Sequence, residues 1–414
     1  MSSLTLIGAH RAVSSLLETT PNSWEVVRFK GLFDRLDQRN SDLSYEMLSL
    51  RSTGEVVARA EMGGRQEPDE RSLPKYLVAE IDDLVVNPMW LIGGGIGVSQ
   101  RAGAVSPDYR VFRSRGALLP RFIHYLLRSQ PYLDQYLLYT RAQTTFDRRI
   151  QQPDLDNLPL PVPPLEEQRD ISDYLDRETV RIDTLIEEQQ RLIEMLRERR
   201  GATIRSALLS GLDEAATAPS GVELLGDVPE HWRMVPTRYL STITTGSEDS
   251  GNATDDGDYP FYVRGREVLR IDHYSFDGEA VMTPGDGQGG TGKVFHYFDG
   301  KFEAHQRVYV FTGFTEVTGW YFYYFLSTFL RPVALAGSNT VTMESIRRPL
   351  LTNFKVAVPP VDEQQRITAY LDDQTAKIDT TIAETERFIE LSRERRSALI
   401  TAAVTGQIDV REMV

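Results

Sequence analysis

Gly285–Lys293 reads GDGQGGTGK, and Gly287, Gly292 and Lys293 meet the G-x-x-x-x-G-K spacing of a loop that wraps phosphate. Such a loop needs a Ser or Thr next, to hold Mg²⁺, and a helix whose positive end faces the anion. Here Val294 follows, and the run VFHYF alternates as a strand does. The segment is read as a glycine-rich hairpin loop, with DNA as a candidate ligand.

Other tempting stretches are incomplete in the same way. Gly93–Gly97, GGGIG, is followed by neither the helix nor the ribose-binding acid of a dinucleotide fold. Asn87–Trp90, NPMW, approaches the Asn-Pro-Pro-aromatic motif of amino-methyltransferases. Met89 replaces the second proline, and no cofactor-binding βα unit accompanies it, so it is read as a strand-to-turn segment. The six histidines are scattered, none in H-E-x-x-H, and His305 is read as a residue of the fold. No nuclease-like carboxylate cluster with a nearby lysine is evident. No catalytic residue and no metal ligand is assigned, and a long chain without a catalytic constellation points to binding and architecture.

The elements that would position such loops repeat. Val162–Asp176 reads VPPLEEQRDISDYLD and Val358–Asp372 reads VPPVDEQQRITAYLD. From Val162 to Arg200 and from Val358 to Arg396 the two copies agree at roughly 22 of 39 positions without a gap. Each reads as a long helix. Pro-Pro fixes an extended approach, and acidic Glu166, Glu167, Asp362 and Glu363 suit the first turn. Ile171, Leu175, Ile182, Ile186 and Ile193 recur at helical spacing, as do Ile367, Leu371, Ile378, Ile382, Phe388 and Ile389, and Gly211 and Gly406 close the two runs. One apolar stripe cannot stay exposed. Two alike are self-complementary, so the rods are expected to pack as an antiparallel coiled coil with pseudo-twofold symmetry. The RERR runs, Arg197–Arg200 and Arg393–Arg396, are read as a solvated or partner-facing flank.

The repeat extends weakly. PNSW (Pro21–Trp24) precedes one variable segment and PEHW (Pro229–Trp232) the other, while their middles diverge. Short apolar runs alternate with Gly, Asp and Pro turns, and helical patterns follow near each end, so the class is α+β. The expected domains are 1–155 and 213–355, two globular domains, separated by helical spacers at 156–212 and 356–414.

The 414 residues exceed one core, the hydrophobic share of 41% suffices for globular packing, and no apolar run approaches the ~20 residues that cross a bilayer. No secretory signal is evident, and the absence of cysteine excludes disulfides and thiolate metal sites, so a cytoplasmic protein is expected. The net charge of −14 argues against unaided binding of nucleic acid. It is unevenly spread, roughly +1 over the first variable segment and roughly −7 over the second.

Variable domain, rod, variable domain, rod, with PEHW before a domain and VPPLEEQ opening a helix, resembles the specificity (S) subunit of type I restriction–modification enzymes. DDLVVNPMWLIGGGIGVSQRAGAVSPDY in the first domain and GDGQGGTGKVFHYFDGKFEAHQRVYVF in the second resemble stretches of that family's target-recognition domains. The resemblance spans about Pro21 to Val410 and departs from the pattern before PNSW. It implies that each domain reads half of a split site on double-stranded DNA, and that the rods set the spacing and dock two methyltransferase (M) subunits. Restriction (R) subunits would join the same assembly. S-adenosylmethionine would belong to M, ATP and Mg to R, and no cofactor to this chain.

Direct readout uses Arg, Lys, Gln or Asn at base edges. Candidates in turn-rich loops are Arg65, Gln66, Gln100 and Arg101 in the first domain, and Arg264, Arg266, Gln288 and Lys293 in the second. Two alternatives remain at this point: a self-contained DNA-modifying enzyme, and an assembly adaptor without DNA contact.

Overall fold

The computed structural model describes Val13 and residues 20–63, 71–140, 149–286, 292–336 and 345–413. The chain forms two compact units, one of residues 1–190 with 387–414, the other of residues 191–386. Four helices organise them: α1 (Pro120–Arg128), α2 (Leu165–Ser210), α3 (Gly319–Ala336) and α4 (Val361–Val404). At 1.5 Å per residue α2 is about 70 Å long. Each long helix contributes to both units.

In the first unit an antiparallel sheet runs in the order Phe33–Leu36, Arg110–Ser114, Leu84–Val86, Ile96–Val98. Pro120 opens α1, where no backbone N–H is needed. Phe122, Ile123, Leu126 and Leu127 form its buried face. They share a core with Phe29, Phe112, Tyr132 and Tyr136, with Ile171 and Leu175 of α2, and with Ala403 and Val404 of α4. Farther along, Arg396 of α4 pairs with Asp183 of α2. The start of α2 therefore lies with the end of α4, an antiparallel pairing.

The second unit has a six-stranded sheet in the order Thr242–Thr245, Val308–Thr312, Phe276–Pro284, His296–Ala304, Tyr259–Tyr262, Val268–Ile271. Only the contact between Tyr259–Tyr262 and His296–Ala304 is parallel. Phe322, Phe325, Leu326 and Leu330 of α3 pack with Phe311 of the sheet, with Ile204 and Leu208 of α2, and with Ile367 and Leu371 of α4. Arg197 donates to Glu386 at 3.0 Å and Arg200 to Asp379 at 3.1 Å, again antiparallel.

The expected stripe is buried at Ile171, Leu175, Ile182, Ile186, Ile193, Ile367, Leu371, Ile378 and Ile389, while Ile382 is half-buried. Phe388 differs from expectation. It is 43% exposed, because the inward positions follow Ile378, Thr385 and Ser392 with Ile389 and pass it by. Gly211 and Gly406 take φ of +70° and +72°, the left-handed stop that glycine favours. A Cβ on Gly406 would lie 2.3 Å from Pro21 and 3.1 Å from Trp24; one on Gly211 would lie 3.2 Å from Trp232. The paired P-x-x-W motifs thus cap the helix ends. No helix among the described residues is long and apolar enough to cross a membrane.

Candidate nucleic-acid interface

Each variable region is fastened to the long helices by the same two devices. The first is a buried glutamine in the opening turn. Gln168 Oε1 accepts from the Leu119 N–H at 2.7 Å, and its Nε2 donates to Ala117 O and Pro163 O at 2.9 and 2.8 Å. Gln364 Oε1 accepts from Thr318 N–H at 2.8 Å, and its Nε2 donates to Glu316 O and Pro359 O at 2.9 Å. Both side chains are fully buried with all three bonds made to backbone. The second device is an aspartate one helical face along. Asp176 accepts from the Tyr125 hydroxyl at 2.6 Å and pairs with Arg121, both on α1. Asp372 accepts from the Tyr324 hydroxyl at 2.7 Å and from Trp320 Nε1 at 3.0 Å, both on α3. Burial and the bond to Asp176 push the Tyr125 hydroxyl up to about 12, so it stays a donor at neutral pH.

From α1 and α3 the restraint passes to the loops. Arg128, at the end of α1, donates to Ser52 O at 2.8 Å and to Gly94 O, inside the loop Asn87–Gly95. That loop follows the core strand Leu84–Val86, and its Pro88 O accepts from Ile150 N–H at 3.0 Å. In the second unit Trp320 packs edge-on against Tyr297, ring centroids 4.6 Å apart, and Tyr297 stands on the strand that leaves the loop after Pro284. There Gly285 O accepts from Ile346 N–H at 2.7 Å. The NPMW turn and the described ends of GDGQGGTGK, Gly285–Asp286 and Gly292–Lys293, occupy matching places in two dissimilar sheets; residues 287–291 lie outside the described residues. Neither opens a helix of the kind an anion loop uses: NPMW is a tight turn, with Asn87 Oδ1 accepting from Met89 N–H at 3.2 Å, and Lys293 leads into the strand His296–Ala304. Gly97 has no room for a side chain, since a Cβ there would lie 1.8 Å from Gly54 O.

Of the candidate base readers, Gln100 and Arg101 are exposed on the turn between Ile96–Val98 and Gly103–Val105, where Arg101 pairs with Glu61 at 3.2 Å. Arg264 is exposed and lies 3.8 Å from Asp286, which also pairs with Arg307 at 2.9 Å. Arg266 and Lys293 are exposed and form no ion pair among the described residues. Arg65, Gln66 and Gln288 lie outside the described residues. His305 is buried and its Nδ1 accepts from Arg307 N–H at 3.0 Å, which makes it a residue of the fold. Among the described residues no group of His, Asp or Glu is arranged to hold a metal ion.

Sequence reasoning missed Gln168, Gln364, Asp176 and Asp372 as fasteners, although all four stood in the repeat. It also missed Arg307, which crowds Asp286 beside Arg264.

A family model, the type I restriction modification DNA specificity domain, matches residues 101–195 and 229–388, more than half of the chain. The chain belongs to the type I restriction–modification DNA specificity family. The specificity subunit of type I restriction enzyme EcoDI from Escherichia coli is 31% identical over 183 residues, which are 44% of this chain and 40% of that protein. The match thus spans less than half of that relative's length. The putative type I restriction enzyme MjaX specificity subunit of Methanocaldococcus jannaschii is 21% identical over 318 residues, 72% of this chain and 70% of its own. Two solved structures share the fold. A chain from work on complex assembly and conformational transition of the type I R-M system has a TM-score of 0.70 at 18% identity, over 94% of this chain and 99% of that one. The HsdS subunit of Thermoanaerobacter tengcongensis has a TM-score of 0.58 at 16% identity, over 94% and 98%.

Proposed function

We propose that this chain is the DNA sequence-recognition subunit of a type I restriction–modification assembly, itself without catalytic residues. Each variable region reads one half of a bipartite site in double-stranded DNA, and the paired long helices set the distance between the halves. Two methyltransferase subunits dock on the chain, bringing S-adenosylmethionine, and restriction subunits with ATP and Mg join through them. The assembly acts in the cytoplasm.

The observation that carries this reading is the duplicated fastening. Gln168 with Asp176, and Gln364 with Asp372, hold two dissimilar sheets to one helical pair by the same bonds. Identical mounts with unlike loops suit two readers of different half-sites. Half-sites on one face of a duplex lie about 34 Å apart or a multiple of that, within reach of a helix about 70 Å long. The net charge of −14 favours a reader whose partners supply much of the phosphate contact. The chain alone should therefore bind duplex weakly.

The adenine methylome of cells expressing this chain with its methyltransferase partner tests the reading. One bipartite motif with a fixed gap is expected. Lengthening α2 should change the gap and leave both half-sites intact. Binding of S-adenosylmethionine to the chain alone would favour a self-contained enzyme instead. An unchanged motif after exchange of the variable regions would favour an adaptor.

A further inference from the structure

At the foot of the Asn87–Gly95 loop three guanidinium groups meet. Arg110 opens the central strand of the first unit's sheet, with Val86 opposite it, while Arg35 stands opposite Phe112 on the other neighbour. Residues two apart on a strand share a face, so Arg35 and Arg110 are diagonal neighbours at the rim of the core. Arg149 precedes Ile150, whose carbonyl accepts from Arg110 Nη2 at 2.9 Å and whose N–H holds Pro88 O.

Among the described residues, few carboxylates face this group. Burial lowers the pKa of Arg110, and the charges of Arg35 and Arg149 lower it further; Asp156 opposes them as the smallest influence. Arg110 Nη1 is buried with no hydrogen-bond partner among the described residues. Neither Arg35 nor Arg110 has a carboxylate at ion-pair distance among the described residues. Asp156 Oδ1 is taken by Gln152 Nε2 at 2.6 Å, and exposed Asp108 reaches only Arg149, at 3.6 Å. In the second unit two arginines also meet, beside the start of the loop after Pro284. Arg307, whose carbonyl accepts from Gly285 N–H at 2.8 Å, and Arg264 have Asp286 between them. Among the described residues of the first unit, Asp108 pairs with Arg149 alone and no carboxylate joins Arg35 to Arg110.

We propose that Arg35, Arg110 and Arg149 hold one phosphate of the DNA backbone at the foot of the Asn87–Gly95 loop. A guanidinium fork matches a phosphate in geometry and stays charged. A backbone contact carries no sequence information, but it fixes where along the duplex the neighbouring loop meets the bases. The inference rests on the DNA-reading function proposed above.

The test uses the full chain assembled with its methyltransferase partner, bound to a duplex carrying the target found by methylome and to a scrambled duplex of equal length. Arg110 is left intact because it anchors Ile150. The exposed pair is changed together, Arg35→Gln with Arg149→Gln. Affinity should fall about ten-fold on both duplexes at about 0.1 M salt, and the slope of log K against log salt should shrink by about one. The preference for target over scrambled duplex should not change. Arg35→Lys with Arg149→Lys should restore the slope. Unchanged affinity and slope would overturn the phosphate site and leave the DNA-reading function standing. A loss on the target duplex alone would also overturn it, since the residues would then read bases. A wild-type assembly with no affinity for duplex would remove both.

Discussion

Gln168 and Gln364 stand at the same place in the two repeats and grip the same three kinds of partner. Each accepts from one N–H and donates to one carbonyl in the loop before the variable region's helix. Each also donates to the carbonyl of the first proline in its own Pro-Pro pair. An amide is required, because it alone offers an acceptor and two donors in one plane.

Replacing Gln168 or Gln364 by alanine strands one N–H and two carbonyls in the interior. The expected loss is about 2–3 kcal/mol of stability, from groups left unpaired as well as from bonds lost. Glu at either position turns the donor toward two carbonyls into an acceptor and should cost at least as much. Denaturant unfolding followed by tryptophan fluorescence measures both, and a change under about 0.5 kcal/mol for the alanine variants would contradict the fastening.

Leu175→Ala and Leu371→Ala each empty a fully buried site, and each should lower stability by about 2–5 kcal/mol. Phe388→Ala, on the exposed side of the same kind of helix, should change it by no more than about 0.5 kcal/mol. Equal losses at Phe388 and Leu371 would place the apolar seam on the wrong face.

Arg396 Nε lies 2.9 Å from Asp183, and Arg200 Nε lies 2.8 Å from Asp379. In both pairs the Nε–H points off the carboxylate, and all four side chains are more than a third exposed. Each pair should therefore be worth under about 1 kcal/mol. A double-mutant cycle should return a small favourable coupling, and the exchange Asp183→Arg with Arg396→Asp should recover most of it. A coupling of zero in both cycles would leave register to the apolar seam alone.

His124, on α1, is held down to about 4 from 6.5, chiefly by burial and then by the charge of Arg128. The folded state thus favours the neutral ring, and the unfolded chain takes up the proton first as pH falls. Stability from this group is complete above about pH 6.5 and is lost as pH drops toward 4, by about 3 kcal/mol in all. His124→Gln should flatten the stability profile of the protein between pH 6.5 and 4. A parallel profile for wild type and variant would contradict the burial of this ring.

The long helices, their glycine stops and their apolar seam were legible because periodicity and φ preference are written in neighbouring residues. Ile171, Leu175, Ile367 and Leu371 are buried as their spacing implies. Phe388 was misplaced because it is apolar one position before Ile389, and hydrophobicity alone does not tell which of two adjacent residues faces the seam. Gln168 escaped notice for another reason. Its partners Leu119 and Ala117 are some fifty residues away and contribute only backbone atoms, so no pairing of side-chain types betrays it. Likewise the matching of Pro88 with Gly285 lies in strand order and in the bonds from Ile150 and Ile346, while the letters around them differ. Arg110 reads as one strand residue among many until the register sets Arg35 beside it.

The glutamine mounts touch Leu119, Ala117, Thr318 and Glu316 only through the peptide groups that every residue carries. They impose a shape on the incoming loop and almost no vocabulary. Side-chain changes at these four positions therefore leave the bonded groups in place, and one kind of socket accepts loops of unlike sequence, as it does in the two units.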